Sequence, residues 1–212
     1  MKLFGYWRST AAYRVRIALN LKGIHYDTVP VHLVRNGGEQ FSATFQDINP
    51  NSVVPALALN DGRVLTQSLA IIEYLDETHA EPRLVPSETF LRARVRAAAQ
   101  IVACDIHPVN NLRVTGYLKQ RLGHSQDEAT TWMQHWMRQG LEAYQKSIDN
   151  DGRYSFGETV TLADLCLVPQ LYNAKRWQLD MQGLDRLQGI ANACMSLEAF
   201  KQAAPEAQVD AE

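Results

Sequence analysis

Three short polar segments carry the residues that could do chemistry: Arg8-Ser9-Thr10, Asn49-Pro50-Asn51-Ser52-Val53-Val54-Pro55 and Gln67-Ser68. The first is wedged between the apolar opening Leu3-Phe4-Gly5-Tyr6-Trp7 and an amphipathic run that stops at Gly23. A strand that delivers hydroxyls to the start of a helix makes a cradle for an anion, because the first helical N–H groups lack partners and carry partial positive charge. A thiolate is one such anion. A free thiol has a pKa of about 8.5, and lowering it by ~2 units takes about 2.7 kcal/mol, which one charge-assisted hydrogen bond and a helix terminus supply together. Either Ser9 or Thr10 can donate that bond, and both also read as ordinary helix caps.

The second segment is turn-rich and runs into a strand. Pro50 fits an ordinary turn, whereas a cis bond before Pro55 is expected to aim the N–H and C=O of Val54 outward, where an extended peptide pairs as a short added strand. In the third, Ser68 reads as a helix cap, and its hydroxyl with the free N–H groups of a helix start also suits a carboxylate. Taken in order, the three describe a receptor for a short, anionic, thiol-bearing peptide.

The elements that must position these segments follow from hydrophobic period. Residues 2–7 read as a buried strand, and Ala11, Val15, Ala18, Leu19 and Lys22 then keep helical spacing up to the stop at Gly23. Residues 26–34 alternate and are rich in β-branched types, so they predict a second strand, with Pro30 favouring an edge or a bulge. Ala56–Asn60 and Arg63–Thr66 flank Asp61-Gly62 and predict a hairpin. A helix with Leu69, Ile72 and Leu75 on one face follows Ser68. The order β-α-β, irregular loop, β-β-α is that of a thioredoxin-like domain, expected over residues 1–82.

The proline-bearing stretch Ala80–Ser87 predicts a linker, after which residues 88–212 predict an all-helical domain. Phe90 to about Leu122 reads as one long helix interrupted near Pro108. Residues 125–148 read as a second, with Trp132, Trp136 and Leu141 at core spacing. A third starts at Thr161, where Thr161-Leu162-Ala163-Asp164 forms a capping box. The acidic end after Pro205 is expected to fray.

Composition narrows the function classes. With 212 residues, 46% of them hydrophobic, the chain can bury a sizeable core, and a formal net charge of -2 offers no field that recruits nucleic acid or an anionic membrane. No run approaches the roughly 18 apolar residues of a membrane span. The opening lacks a secretory signal, so the cytoplasm is the expected location. Cys104, Cys166 and Cys194 are far apart and never form a CxxC pair, which predicts buried thiols rather than a disulfide framework or zinc site. The six histidines show no ligand spacing, so no metal is expected.

The chain resembles the zeta-class glutathione transferases, the class of the maleylacetoacetate and maleylpyruvate isomerases. The residues that carry the resemblance are Arg8-Ser9-Thr10-Ala11-Ala12-Tyr13-Arg14-Val15-Arg16-Ile17-Ala18-Leu19, Gly37-Gly38-Glu39-Gln40-Phe41, Asn49-Pro50, Val54-Pro55, Gln67-Ser68-Leu69-Ala70-Ile71-Ile72-Glu73-Tyr74-Leu75 and Ala163-Asp164-Leu165-Cys166-Leu167-Val168-Pro169-Gln170. The resemblance implies a thioredoxin-like domain followed by an all-α domain, a homodimer, and glutathione as coenzyme. By motif it places Ser9 and Thr10 on the paired hydroxyls that hold the glutathione sulfur, beside Ala11. It places Gln40 and Val54 on glutathione backbone contacts, and Gln67 with Ser68 on the γ-glutamyl site. It also puts His107, Asn111, Leu112 and Arg113 at the cleft. One departure stands out: the class usually has cysteine after the paired hydroxyls, and here that position is Ala11.

The activity implied is a cis–trans isomerisation by reversible thiolate addition, maleylpyruvate to fumarylpyruvate in gentisate-type aromatic catabolism, with maleylacetoacetate as the alternative substrate. Such dianionic substrates call for guanidinium groups that fork onto carboxylates, which singles out Arg8, Arg113 and Arg176. Arg176 also reads as a solvated charge at a helix end. Competing readings are a general glutathione-conjugating enzyme, which needs an apolar second pocket, and a non-catalytic glutathione-binding module.

Overall fold

A computed structural model describes residues 1–212 as two compact units, Met1–Leu84 together with Met195–Glu212, and Val85–Cys194. The divide after Leu84 falls inside the proline-bearing stretch. The sequence had assigned everything from residue 88 onward to the helical part, whereas Met195–Glu212 packs with the first unit.

The first unit holds a four-stranded sheet of order β2-β1-β3-β4. Its strands are β1 (Lys2–Gly5), β2 (Asp27–Pro30), β3 (Ala56–Ala58) and β4 (Val64–Thr66). β1 pairs parallel with β2 and antiparallel with β3, and β3 pairs antiparallel with β4. The helices are α1 (Thr10–Leu21), α2 (Ala43–Ile48) and α3 (Ser68–Thr78). β2 is shorter than the alternation implied: it ends at Pro30, which sits on an edge strand and has no N–H to extend a ladder.

Two apolar layers sandwich this sheet. Phe4 packs into a cluster with Tyr6, Trp7, Val31, Phe45 and Val54. Leu3 and Gly5 point the other way, where Gly5 leaves room for Ala12 of α1: a Cβ there would lie 3.4 Å from the Ala12 Cβ. Every residue of α1 from Thr10 to Leu19 is buried, including Arg14 and Arg16. The reason lies at the other end of the chain, because α10 (Glu198–Ala203) packs on α1. Arg16 fixes that packing, donating from Nε to the Ala203 carbonyl and from Nη2 to the Trp7 carbonyl, both at 2.9 Å. The end expected to fray is therefore pinned: Phe200, Ala203 and Pro205 are buried, and Asp210 accepts a hydrogen bond from the Trp7 N–H.

In the second unit, α4 (Thr89–Gln100) continues into a π-helical segment, Ile101–Ile106, then α5 (His107–Asn110) and α6 (Leu112–Gln120). The interruption predicted near Pro108 takes the form of this widened turn ahead of the proline and a break at Asn111, which is extended and caps α6. α7 (Gln126–Ser147), α8 (Leu162–Arg176) and α9 (Asp185–Met195) complete the helical order. On α7 the buried stripe is Ala129, Met133, Met137, Leu141 and Tyr144, not the tryptophans. Trp132 is half-buried because its indole N–H must reach a partner, the Val109 carbonyl at 2.9 Å. The capping box at Thr161 is present, with Asp164 fully enclosed. Cys166 and Cys194 are buried as expected, but Cys104 is exposed on the outer side of the π-helical segment. No helix is long and apolar enough to cross a membrane.

Candidate active site

The turn between β1 and α1 builds the first part of the site. Ser9 N–H bonds the Tyr6 carbonyl at 2.9 Å, and Ser9 itself is the N-cap of α1, in extended conformation. Its Oγ accepts from the Ala12 N–H at 3.2 Å. That bond uses an oxygen lone pair and leaves the hydroxyl hydrogen to donate elsewhere. Ser9 is half-buried, whereas Thr10 lies inside the first turn and is 7% exposed. The two hydroxyls that sequence treats alike thus have different surroundings. Ala11 is buried and presents only a methyl group, so this helix start carries no thiol of its own.

Arg8 precedes the cap. Its guanidinium lies 4.9 Å from the Trp7 ring centroid and 5.9 Å from that of Tyr6, and donates to the Tyr6 hydroxyl at 3.4 Å. Aromatic contacts of this kind hold a guanidinium in place while leaving its other N–H groups able to fork onto a carboxylate.

Ser68 was expected to cap α3, but the cap position belongs to Gln67, which has φ 69° and no side-chain cap bond. Ser68 is instead the first helical residue. Its hydroxyl is buried and accepts from Arg14 Nη1 at 3.2 Å, a bond that ties α3's first turn to α1. The α3 helix start therefore keeps its leading N–H groups without a capping side chain. Sequence reasoning passed over Arg14 as a structural tie. The available signal was an arginine in the middle of an otherwise apolar helix, where burial requires a partner.

Gln40 and Val54 sit on the loops before α2 and before β3. Gln40 is buried, its Nε2 donates to the Leu33 carbonyl at 3.3 Å, and its Oε1 has no hydrogen-bond partner. A buried amide oxygen without a donor is costly unless a ligand supplies one. Val54 is buried ahead of a cis Val54–Pro55 bond, and Asn49 braces the same loop by donating from Nδ2 to the Val53 carbonyl at 2.6 Å. Gly38, part of the motif that carries the resemblance, has a role here that the sequence reading did not assign. It has φ 104°, and a Cβ there would come within 2.6 Å of the Gln40 amide. Gly38→Ala is expected to displace the Gln40 side chain and loosen its bond to the Leu33 carbonyl, which faster amide hydrogen exchange across residues 38–41 will read.

The remaining predicted residues lie in the second unit. His107 opens α5. Asn111 spends its side chain on capping α6, its Oδ1 accepting from the N–H groups of Arg113 and Val114 at 3.0 and 3.3 Å. Leu112 is 53% exposed and Arg113 is exposed beside it. Arg176 ends α8, exposed, with its guanidinium 4.8 Å from the Trp177 ring centroid. No group of His, Cys, Asp and Glu is arranged to hold a metal ion.

The unit that carries Ser9, Gln40, Val54, Gln67 and Ser68 holds a helix start with a hydroxyl able to donate, a second helix start tied to α1 through Arg14, and a buried amide oxygen without a partner. Comparison with known proteins identifies the family. Residues 8–78 match the family model of the glutathione S-transferase N-terminal domain. A probable maleylacetoacetate isomerase of Vibrio cholerae is 50% identical over 99% of this chain and 97% of its own length. The holo structure of a maleylpyruvate isomerase, a bacterial zeta-class glutathione S-transferase, superposes with a TM-score of 0.96 at 44% identity over the whole of both chains. A maleylacetoacetate isomerase of Methylobacterium extorquens, solved with malonate and glutathione bound, gives a TM-score of 0.95 at 39% identity over the whole of both chains. With half its residues shared along nearly the entire length of a relative, and the fold reproduced throughout, this chain belongs to the zeta class of the glutathione S-transferase family.

Proposed function

We propose that the chain is a glutathione-dependent cis–trans isomerase that converts maleylpyruvate to fumarylpyruvate. The observation that carries this reading is the Ser9 cap, whose hydroxyl can donate at the mouth of a helix while no thiol of the chain stands beside it. Bound glutathione supplies a thiolate that adds reversibly to the substrate alkene, so that the bond can rotate, and then leaves. Ser9 holds that sulfur ionised, with the N-terminus of α1 adding to the effect. Gln40 Oε1 accepts an N–H of the tripeptide, Val54 pairs with its backbone, and the start of α3 at Gln67 and Ser68 receives the γ-glutamyl carboxylate. Thr10 and Ala11 shape the wall behind the sulfur. In the helical unit, His107, Asn111, Leu112 and Arg113 are assigned to the coenzyme. Arg8, Arg113 and Arg176 are assigned to the carboxylates of the substrate and to the charge that develops on its keto oxygen.

Maleylacetoacetate is the second reading, favoured by the name of the Vibrio relative. The two substrates share the reacting alkene and differ by one carbon at the far end, so the same machinery serves either. The chain is assigned to the cytoplasm as a homodimer, the latter checked by light scattering.

Assays with each diketoacid, with and without glutathione, test the proposal: isomerisation requires the coenzyme, and equal rates without it reject the mechanism. Arg176→Ala is expected to raise the KM for the diketoacid about tenfold, the size of one lost charge-assisted contact, while the KM for glutathione is unchanged. Intact isomerisation in that variant, alongside fast conjugation of a neutral aromatic halide, points to a general transferase instead.

A further inference from the structure

We propose that the acidic segment Asp210–Glu212 is a positioning element for the thiol site, holding two loops that carry proposed glutathione contacts. The first is the exit from β1. Trp7 donates its N–H to Asp210 Oδ2 at 3.0 Å, and its carbonyl is held by Arg16 Nη2 at 2.9 Å. Its peptide groups are thus fixed on one side by a carboxylate from the end of the chain and on the other by a buried guanidinium. The same Arg16 also holds the Ala203 carbonyl, so the origin of the acidic segment and the Trp7 peptide share one anchor. Arg8 and Ser9 are the next two residues.

The second loop leads to Gln40. Glu212 pairs with Arg35 and lies 3.4 Å from His32 Nε2. His32 in turn exchanges backbone bonds with Glu39, whose N–H reaches the His32 carbonyl at 2.8 Å and whose carboxylate accepts the His32 N–H at 2.7 Å. His32 and Tyr6 touch edge to face, with centroids 4.9 Å apart, which joins the two loops. Gln208 keeps the segment folded back, donating to the carbonyls of Gln202 and Ala204 at 2.8 Å. A cleft of about 370 Å³ lies between this segment and the loop, bounded by His32, Arg35 and Glu39 on one side and by Asp210 and Glu212 on the other.

The two anchors differ in strength. The Asp210 bond is part-buried and charge-assisted, whereas Glu212 and Arg35 are each at least half exposed and screened by solvent. The proposal rests on the reading that Ser9 and Gln40 bind glutathione. Asp210→Ala is expected to raise the KM for glutathione about fivefold with kcat within twofold, and Glu212→Gln about twofold. Asp210→Asn, which keeps an oxygen acceptor, restores the KM to within twofold of the parent. Amide hydrogen exchange in the protein without ligand is expected to quicken at Trp7 and across residues 32–41 in Asp210→Ala. An unchanged KM in Asp210→Ala overturns the proposal. So does a KM shift accompanied by an equal loss of kcat and a lowered Tm that Asp210→Asn fails to restore. Failure of the parent chain to bind glutathione overturns the functional reading instead, and the exchange measurement still reads the hold of the segment.

Discussion

Ser9→Ala is expected to cut turnover about twentyfold at pH 7 and to return it toward the parent value as the pH rises above about 8.5. Removing a hydrogen bond to a charged sulfur costs about 1.5–3 kcal/mol, which corresponds to ~1–2 units of thiol pKa. A bound thiol that ionises near pH 6.5 is mostly thiolate at neutrality, whereas one near 8.5 is only a few per cent ionised. The loss is therefore largest below the higher pKa and fades where the thiol ionises unaided. Thiolate absorbance of the glutathione complex, titrated in the parent, Ser9→Ala and Thr10→Ala, is the measurement. The structure favours Ser9 because its Oγ accepts the Ala12 N–H and keeps its own hydrogen for donation, while Thr10 is enclosed. A shifted thiol pKa in Thr10→Ala with none in Ser9→Ala transfers the role to Thr10. Loss of the cap in Ser9→Ala also costs about 1 kcal/mol of stability, which Tm reports separately.

The largest effect on stability is expected at Asp164. Its carboxylate is fully buried and accepts from the Ser155 N–H at 2.9 Å, the Thr161 N–H at 2.8 Å and the Thr161 hydroxyl at 3.1 Å. Ser155 also bonds the buried Tyr144 hydroxyl at 2.9 Å, so a single network joins α7, the loop after it and α8. Asp164→Ala strands three donors in the interior and leaves a void, for an expected loss of about 3–5 kcal/mol in urea unfolding. The pH dependence has a definite sign. Burial pushes the Asp164 carboxyl above its usual 3.8, against the hydrogen bonds that lower it. The folded chain thus holds this proton more tightly than the unfolded one, so the contribution to stability is full below about pH 3.8 and diminishes as the pH rises through the folded value. The gap between parent and Asp164→Ala should accordingly widen on acidification. A gap that narrows instead shows the carboxylate to be favoured in the folded state.

The local signals in the chain were informative where the physics is local. The capping box at Thr161, the Asp61-Gly62 hairpin, the helix that starts beside Ser9 and the edge position of Pro30 all depend on residues within one turn of each other. Patterns that depend on what lies opposite were less legible. The α7 stripe runs through Met133 and Met137, while the Trp132 indole lies at the margin of the core, where its N–H reaches the Val109 carbonyl. Ser68 does not cap α3 because Gln67 holds the cap position and Ser68 is already helical, its hydroxyl accepting instead from Arg14, 54 positions earlier.

By itself the sequence determined the β-α-β and β-β-α halves of the first unit, the helix starts beside Ser9 and Ser68, the absence of a thiol at Ala11 and the resemblance that names the family, since each of these is written in neighbouring residue types, whereas α2, α9 and α10 were not legible. Only the tertiary structure decided that Met195–Glu212 returns to the first unit, that Ser9 and Thr10 are not equivalent, and that Gln40 keeps an oxygen without a partner. Those outcomes turn on long-range burial. A guanidinium such as Arg16, once enclosed, must find its acceptors wherever the fold brings them, and it finds them nearly two hundred residues away at Ala203.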